Sequence, residues 1–247
     1  MSNRHEKIGI KQGLRIEWLD KALNLKLAGL KNQEIKDSLK EYMANRLDNG
    51  KIGQRGKTTT EIAVSMLFKT WINPDKELKR LQKKALSIAK NNNYLPCHWA
   101  MLCAEYPFWY RVAIQTGRLL NLQKQVSKKQ IIQRIREIYG DRSSVIRSAQ
   151  RVIQGFLGVG VLEESKIKNF YSTKTLIKSD YDITILLFEA VLHAEPDNKL
   201  VLGSLTNNPA FFPFQLPVLK GDYISQQSDC IEVIHYGLDD ELLRLKK

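Results

Sequence analysis

Arg147 and Arg151 stand four residues apart, with Ser144 and Ser148 interleaved at the same spacing. On a helix, positions four apart share a face, so this pattern predicts one basic face. A guanidinium fork donates two parallel hydrogen bonds to a phosphate or to the outer edge of a guanine. The small serines let the helix backbone come close to the same partner. Arg142 and Ser143 begin the stretch and Gln154 continues the face. Lys128 and Lys129 fall at the start of the preceding helix, where free backbone N–H groups also favour phosphate. Lys166 and Lys168 flank Ile167 in a polar turn, within reach of a nucleic-acid backbone. The chemistry these residues support is noncovalent, namely phosphate neutralisation with some reading of base edges.

Strings that imitate catalytic motifs fail on spacing. Gly56-Lys57-Thr58 resembles the end of a phosphate-binding loop, but that motif needs glycine where Lys51 stands. Pro74-Asp75 with Glu77-Leu78-Lys79 carries the letters of a metal-dependent nuclease core. Both acids lie within two turns of one predicted helix, whereas metal-assisted cleavage needs carboxylates converging on one ion. Cys97, His98 and Cys103 lack the second ligand pair that a structural zinc site requires, so burial in the core is expected. His5, His98, His193 and His235 have no local partner suited to acid–base work. The sequence predicts no catalytic residue, no metal site and no cofactor.

The elements that must position the basic residues lie between 127 and 174. Ser127-Lys128-Lys129-Gln130 is a capping box, followed by Ile131, Ile132, Ile135 and Ile138 at helical spacing. Tyr139-Gly140 closes that helix, and Asp141 or Ser143 is suited to cap the next. The second helix, from Ser143 to about Phe156, carries Val145, Ile146, Ala149, Val152, Ile153, Phe156 and Leu157 on one side. After Gly158 and Gly160, Val161–Glu163 and Phe170–Thr173 read as strands on either side of a basic tip. Helix, short turn, helix and hairpin in this order predict a winged helix-turn-helix that reads duplex DNA.

Charge distribution supports a polyanionic partner. The 247-residue chain carries a formal net charge of +13. Residues 180–247 hold 5 Lys+Arg and 11 Asp+Glu, a net of −6, which leaves 34 and 15, a net of +19, for residues 1–179. Hydrophobic content of 43% and charged content of 26% are those of an ordinary globular chain. The first thirteen residues have no apolar signal core, no window approaches a membrane span, and three scattered cysteines give no disulfide framework. A cytoplasmic protein with no membrane partner is expected.

The remaining periodicities set the predicted domains. Residues 1–105 read as an N-terminal helical bundle, with Leu14, Trp18, Leu19, Ala22, Leu23 and Leu27 on its first helix and Leu47 turned inward on its second. Thr58-Thr59-Thr60-Glu61 reads as another capping box, and Asn73-Pro74-Asp75 as a helix start. Residues 106–178 form the winged helix-turn-helix. Residues 179–247 form a small acidic α+β portion, with an apolar helix over 183–194 and a strand pair over 218–224 and 230–235. Phe211, Phe212 and Phe214 predict that this portion packs as a folded unit that faces away from DNA and forms a protein-docking or self-association surface, and that truncation after about Lys178 keeps or raises DNA affinity at a cost in solubility. The fold class is mostly α.

The layout resembles the small A protein of BREX phage-exclusion systems and related winged-helix proteins of bacterial defence islands. Tyr106-Pro107-Phe108-Trp109, Gly117-Arg118-Leu119-Leu120, Tyr139-Gly140-Asp141-Arg142 and Gly158-Val159-Gly160-Val161-Leu162 carry the resemblance. It covers roughly residues 10–175, and the acidic portion beyond Asp180 departs from it. The resemblance implies a non-enzymatic binder of double-stranded DNA, with other proteins of a defence complex as further partners. Two rival readings stand beside it: a protein–protein adaptor docking through the winged helix and acidic portion, and an RNA-binding helical module of the antitermination type.

Overall fold

The computed structural model describes residues 3–236 and 240–246. An extended N-terminal segment, opened by a 3₁₀ turn at Asn3–Glu6, leads into helices α1 (Ile16–Leu27), α2 (Asn32–Ala44) and α3 (Lys57–Trp71). Then come α4 (Lys79–Ala89), α5 (Tyr94–Glu105) and α6 (Pro107–Leu122). A short strand β1 (Val126–Ser127) enters α7 (Lys128–Tyr139) and α8 (Ser143–Gly158), followed by β2 (Leu162–Glu164) and β3 (Phe170–Thr173). The last part holds β4 (Ile177–Lys178), α9 (Tyr181–Ala194), β5 (Lys199–Val201), α10 (Leu202–Thr206), β6 (Phe214–Gln215), α11 (Gly221–Gln227), β7 (Ile231–Tyr236) and β8 (Asp240–Leu245). The protein is mostly helical, and among the described residues there are three small sheets, ordered β1-β3-β2, β4-β6 and β5-β8-β7.

Two helices are apolar all round, and such helices belong in an interior. In α5 every residue from Pro96 to Glu105 is buried, and in α9 every residue from Ile183 to Ala194. They pack on each other as the most extensive helix pair of the fold. Around them Trp99, Trp109, Phe156, Phe212 and Phe214 meet with ring centroids 5.0–6.0 Å apart, joining α5, α6, α8 and the chain before β6. Burying each such ring contributes on the order of 2 kcal/mol. One contiguous core therefore runs from Ile10 to Leu243 through all three predicted segments.

Several polar groups taken into this interior find partners, while Trp99 Nε1, Trp109 Nε1 and His193 Nδ1 have no hydrogen-bond partner among the described residues. Glu105 pairs with Lys69 and accepts the Asp75 N–H at 3.1 Å. Burial nevertheless pushes the Glu105 carboxyl above its usual range. His98 accepts the Trp71 indole N–H on Nδ1 at 2.9 Å, which leaves Nε2 to donate to Asp20 Oδ1 at 2.9 Å. Its proton is thus placed, and burial holds its pKa low. Cys97 and Cys103 lie in the same core. Burial pushes the Cys97 thiol up to about 12 and Cys103 higher still, so both are protonated thiols in this core.

Several sequence expectations differ from the fold. Helix α3 begins at Lys57 with Gly56 as its cap, which has no side chain to bond the first turn, and Thr59 Oγ1 donates to the Gly56 carbonyl. The Asn73–Asp75 start gives only a 3₁₀ turn, Lys76–Leu78, before α4. Leu47 and Ile138 are exposed. The strand expected over 218–224 is replaced by helix α11, and β7 pairs with β8 across the register Ile231↔Leu245 to Tyr236↔Asp240. Among the described residues, no helix is long and apolar enough to cross a membrane.

Candidate nucleic-acid interface

The capping box that opens α7 is built as its spacing requires. Gln130 N–H donates to Ser127 Oγ at 3.2 Å, and Ser127 N–H donates back to Gln130 Oε1 at 2.8 Å. Gly140 ends the helix with φ +79°, a left-handed conformation that favours glycine. The turn is short, so α8 starts at Ser143 with Arg142 as its cap and no side-chain bond to the first-turn N–H groups. Of these donors, Val145 N–H is taken by the Arg142 carbonyl at 3.0 Å, which leaves the Ser143 and Ser144 N–H groups to an anion. The inner side of α8 buries Val145, Ala149, Val152, Ile153 and Phe156, while Ile146 and Leu157 are half-buried.

The outward face of α8 divides in two. Arg142, Ser143, Ser144 and Arg147 are exposed. Ser148 is only 7% exposed, and Arg151 is half-buried. The cause is the N-terminal segment, which crosses the helix at its second half. Arg151 Nη1 lies 3.4 Å from the Ile10 carbonyl oxygen. A Cβ at Gly13 would stand 3.0 Å from Gln154 Cβ, and one at Gly158 would stand 2.4 Å from the Leu14 carbonyl oxygen. Glycine is required at Gly158 for this close approach. Gln154 keeps exposed surface beside the strap. Ser148 and Arg151, expected to point outward, therefore serve as its seat.

The hairpin after α8 holds its basic tip firmly. Strands β2 and β3 pair antiparallel from Leu162↔Thr173 to Glu164↔Tyr171. Within the loop, Ser165 N–H donates to the Phe170 carbonyl at 2.8 Å and Phe170 N–H to the Ile167 carbonyl at 3.0 Å. Asn169 takes φ 64°, and its N–H donates to Glu164 Oε1 at 3.0 Å. Lys166, Ile167 and Lys168 are left exposed. Lys128 N–H donates to the Asn169 carbonyl at 2.8 Å, which ties the start of α7 to the hairpin loop. Lys128 and Lys129 thus sit beside Lys166 and Lys168.

The electrostatics of these residues set them apart from their neighbours. Arg134 pairs with Glu137 at 3.2 Å and Arg136 with Asp141 at 2.7 Å. Lys128, Lys129, Arg142, Arg147, Lys166 and Lys168 make no ion pair among the described residues. The nearest side-chain contact of Arg147 is to Ser143 Oγ at 3.3 Å. Two lysines that periodicity did not single out join this surface. Lys11, on the N-terminal segment, lines a 450 Å³ cleft with Ser144, Arg147 and Arg151, and Lys7 lies on the same segment. No local pattern could have placed them there, since the contact spans 141 residues of chain.

One cluster elsewhere holds metal-ligand residue types. His235 Nε2 lies 3.6 Å from Asp222 Oδ1 and its Nδ1 lies 3.5 Å from Glu241 Oε1. The ring bridges α11 and β8, and one ligand atom from each of Asp222, His235 and Glu241 lies within 4.8 Å of the others. His235, which the sequence left without a partner, has two. Comparison with protein-family models, with curated proteins and with solved structures finds no match to this chain.

Proposed function

We propose that this chain is a non-enzymatic double-stranded DNA-binding protein whose residues 106–178 act as a winged helix-turn-helix. Helix α8 is the recognition helix, entered through Arg142, Ser143, Ser144 and Arg147, and the β2–β3 loop is the wing. The observation that carries this reading is a set of six cations without ion pairs among the described residues: Arg142 and Arg147 at the start of α8, and Lys128, Lys129, Lys166 and Lys168 where the hairpin loop meets α7. Lysines and arginines of this kind displace condensed counterions, so binding is salt-steep and tolerant of sequence. The first turn of a recognition helix is also the part that meets base edges in helix-turn-helix complexes. On the resemblance to the BREX small A protein, the same reading extends to a cytoplasmic accessory role within a larger protein complex. A gel-shift series across salt, with duplex and single-stranded DNA of one sequence, tests it. The expected result is duplex preference with a log–log salt slope of several units. Equal retention of duplex and single strand, or a flat salt response, overturns it.

A further inference from the structure

Three surface clefts of the molecule share walls. The cleft beside α8 shares Gly9, Ile10, Lys11 and Ile62 with a 390 Å³ cleft over α3, and that one shares Glu61, Ser65 and Lys69 with an 820 Å³ cleft beyond it. The floor is the outer face of α3, where Thr58, Glu61, Ser65 and Lys69 recur at helical spacing. Together the three clefts are lined by seven lysines and three arginines against three acids, Glu61, Asp75 and Glu105. Glu105 is buried and already neutralised by Lys69, which also lies 3.6 Å from Asp75. Lys36 and Lys40 on α2, Lys76 ahead of α4 and Lys79 at its first position make no ion pair among the described residues. They line the far end of the track with Glu61 and with Asp75, which shares Lys69 with Glu105.

Four cations without partners, held along one groove, repel one another and are stabilised by a shared polyanion. The floor between them sets Thr58, Glu61 and Ser65 beside the apolar Ile62, Val64 and Phe68, so the lysines supply the phosphate contacts. Helix α3 has 15 residues, hence a length of about 22 Å, equivalent to roughly six base pairs at 3.4 Å each. We infer that the basic track along α3 is a second phosphate-binding surface, engaged by the same duplex that α8 reads, so that the DNA runs from α8 over Lys11 and Lys7 to Lys36, Lys40, Lys76 and Lys79. This rests on the reading of α8 as the recognition helix. The footprint is then longer than α8 and its hairpin alone would occupy.

Fluorescence anisotropy on duplexes of 10 and 24 base pairs, about 34 and 82 Å long, separates the two claims. A folded chain of this size is about 45 Å across, so only the longer duplex passes both surfaces. Three proteins are compared: the full chain, R142Q/R147Q, and K36Q/K40Q/K76Q/K79Q. The wild type should bind the longer duplex with the steeper salt slope. The lysine variant should lose up to three or four units of that slope, about one for each phosphate it no longer neutralises, and leave the shorter duplex unchanged. The pair K76Q/K79Q should lose about half as much, and circular dichroism checks that each variant is folded. A lysine variant with wild-type slope on the longer duplex overturns the inference while a weakened R142Q/R147Q keeps the α8 reading. Unchanged binding by R142Q/R147Q removes that reading, and the shared path with it.

Discussion

The Arg151 guanidinium of α8 lies 3.4 Å from the Ile10 carbonyl oxygen, so the middle of the helix is held by the protein's own N-terminal segment. The arginine one turn earlier, Arg147, is exposed and without an acid partner. Two arginines four apart on one helix therefore have different tasks. Arg142→Ala with Arg147→Ala should lower duplex affinity by about 1–3 kcal/mol per arginine that meets a base, and less for one that meets phosphate. Arg151→Ala should leave affinity nearly unchanged and lower stability by about 1 kcal/mol. Anisotropy titration beside denaturant unfolding reads both. The reverse assignment, with Arg151→Ala weakening DNA binding in a protein of wild-type stability, would sink the division.

The hairpin tip gives a second expectation. Lys166 and Lys168 project from a loop fixed by backbone bonds and by the left-handed Asn169. Replacing both with glutamine should weaken binding about equally on unrelated sequences. The salt slope should become shallower by about one unit for each phosphate that a lysine had neutralised. An effect confined to one DNA sequence means that the tip reads bases.

Removal of the acidic portion has a different outcome from the one its charge predicts. Helix α9 is buried along its length against α5, and Phe212 and Phe214 complete the aromatic cluster around Trp99. Truncation after Lys178 should leave no cooperative thermal transition in circular dichroism. A truncated chain that melts cooperatively near the wild-type temperature contradicts the central place of α9.

Acid should weaken the fold through His193. It is buried with Nδ1 unpartnered, and burial, with Arg4 and His5 nearby, lowers its pKa from 6.5 to about 3. The unfolded chain takes up a proton near pH 6.5 that the folded chain refuses. Stability contributed by neutral His193 is therefore full above about pH 6.5 and lost progressively towards about 3. Glu105 and Glu189, raised by burial, push the other way above the usual carboxylate range, so the comparison with His193→Gln isolates the histidine. The stability difference between wild type and variant should shrink or reverse as pH falls through this window. A pH-independent difference in urea unfolding refutes it.

Local signals were legible and distant ones were not. Ser127 with Gln130, Gly140 and the apolar stripe of α8 act over a few residues, so spacing alone placed the two helices and the hairpin. The strap over Ser148 and Arg151 arises from residues 10–15, and nothing near α8 in the chain encodes it. Residues 218–224 misled because a seven-residue helix and a short strand have similar apolar content, and α11 is fixed by packing on β7. The track along α3 was invisible for the same reason as the strap, since its lysines come from four separate stretches of sequence.

The seat of the N-terminal segment also sets an order of events during synthesis. Residues 10–15 leave the ribosome well over a hundred residues before the helix that they brace. At ordinary elongation rates of 5–20 residues per second, that interval is about 7–28 s. Through it, Ile10 and Leu14 have no place to bury, and α8, once made, closes a loop of 141 residues to receive them. The second half of α8 therefore takes its final surroundings only once residues 10–15 have folded back onto it.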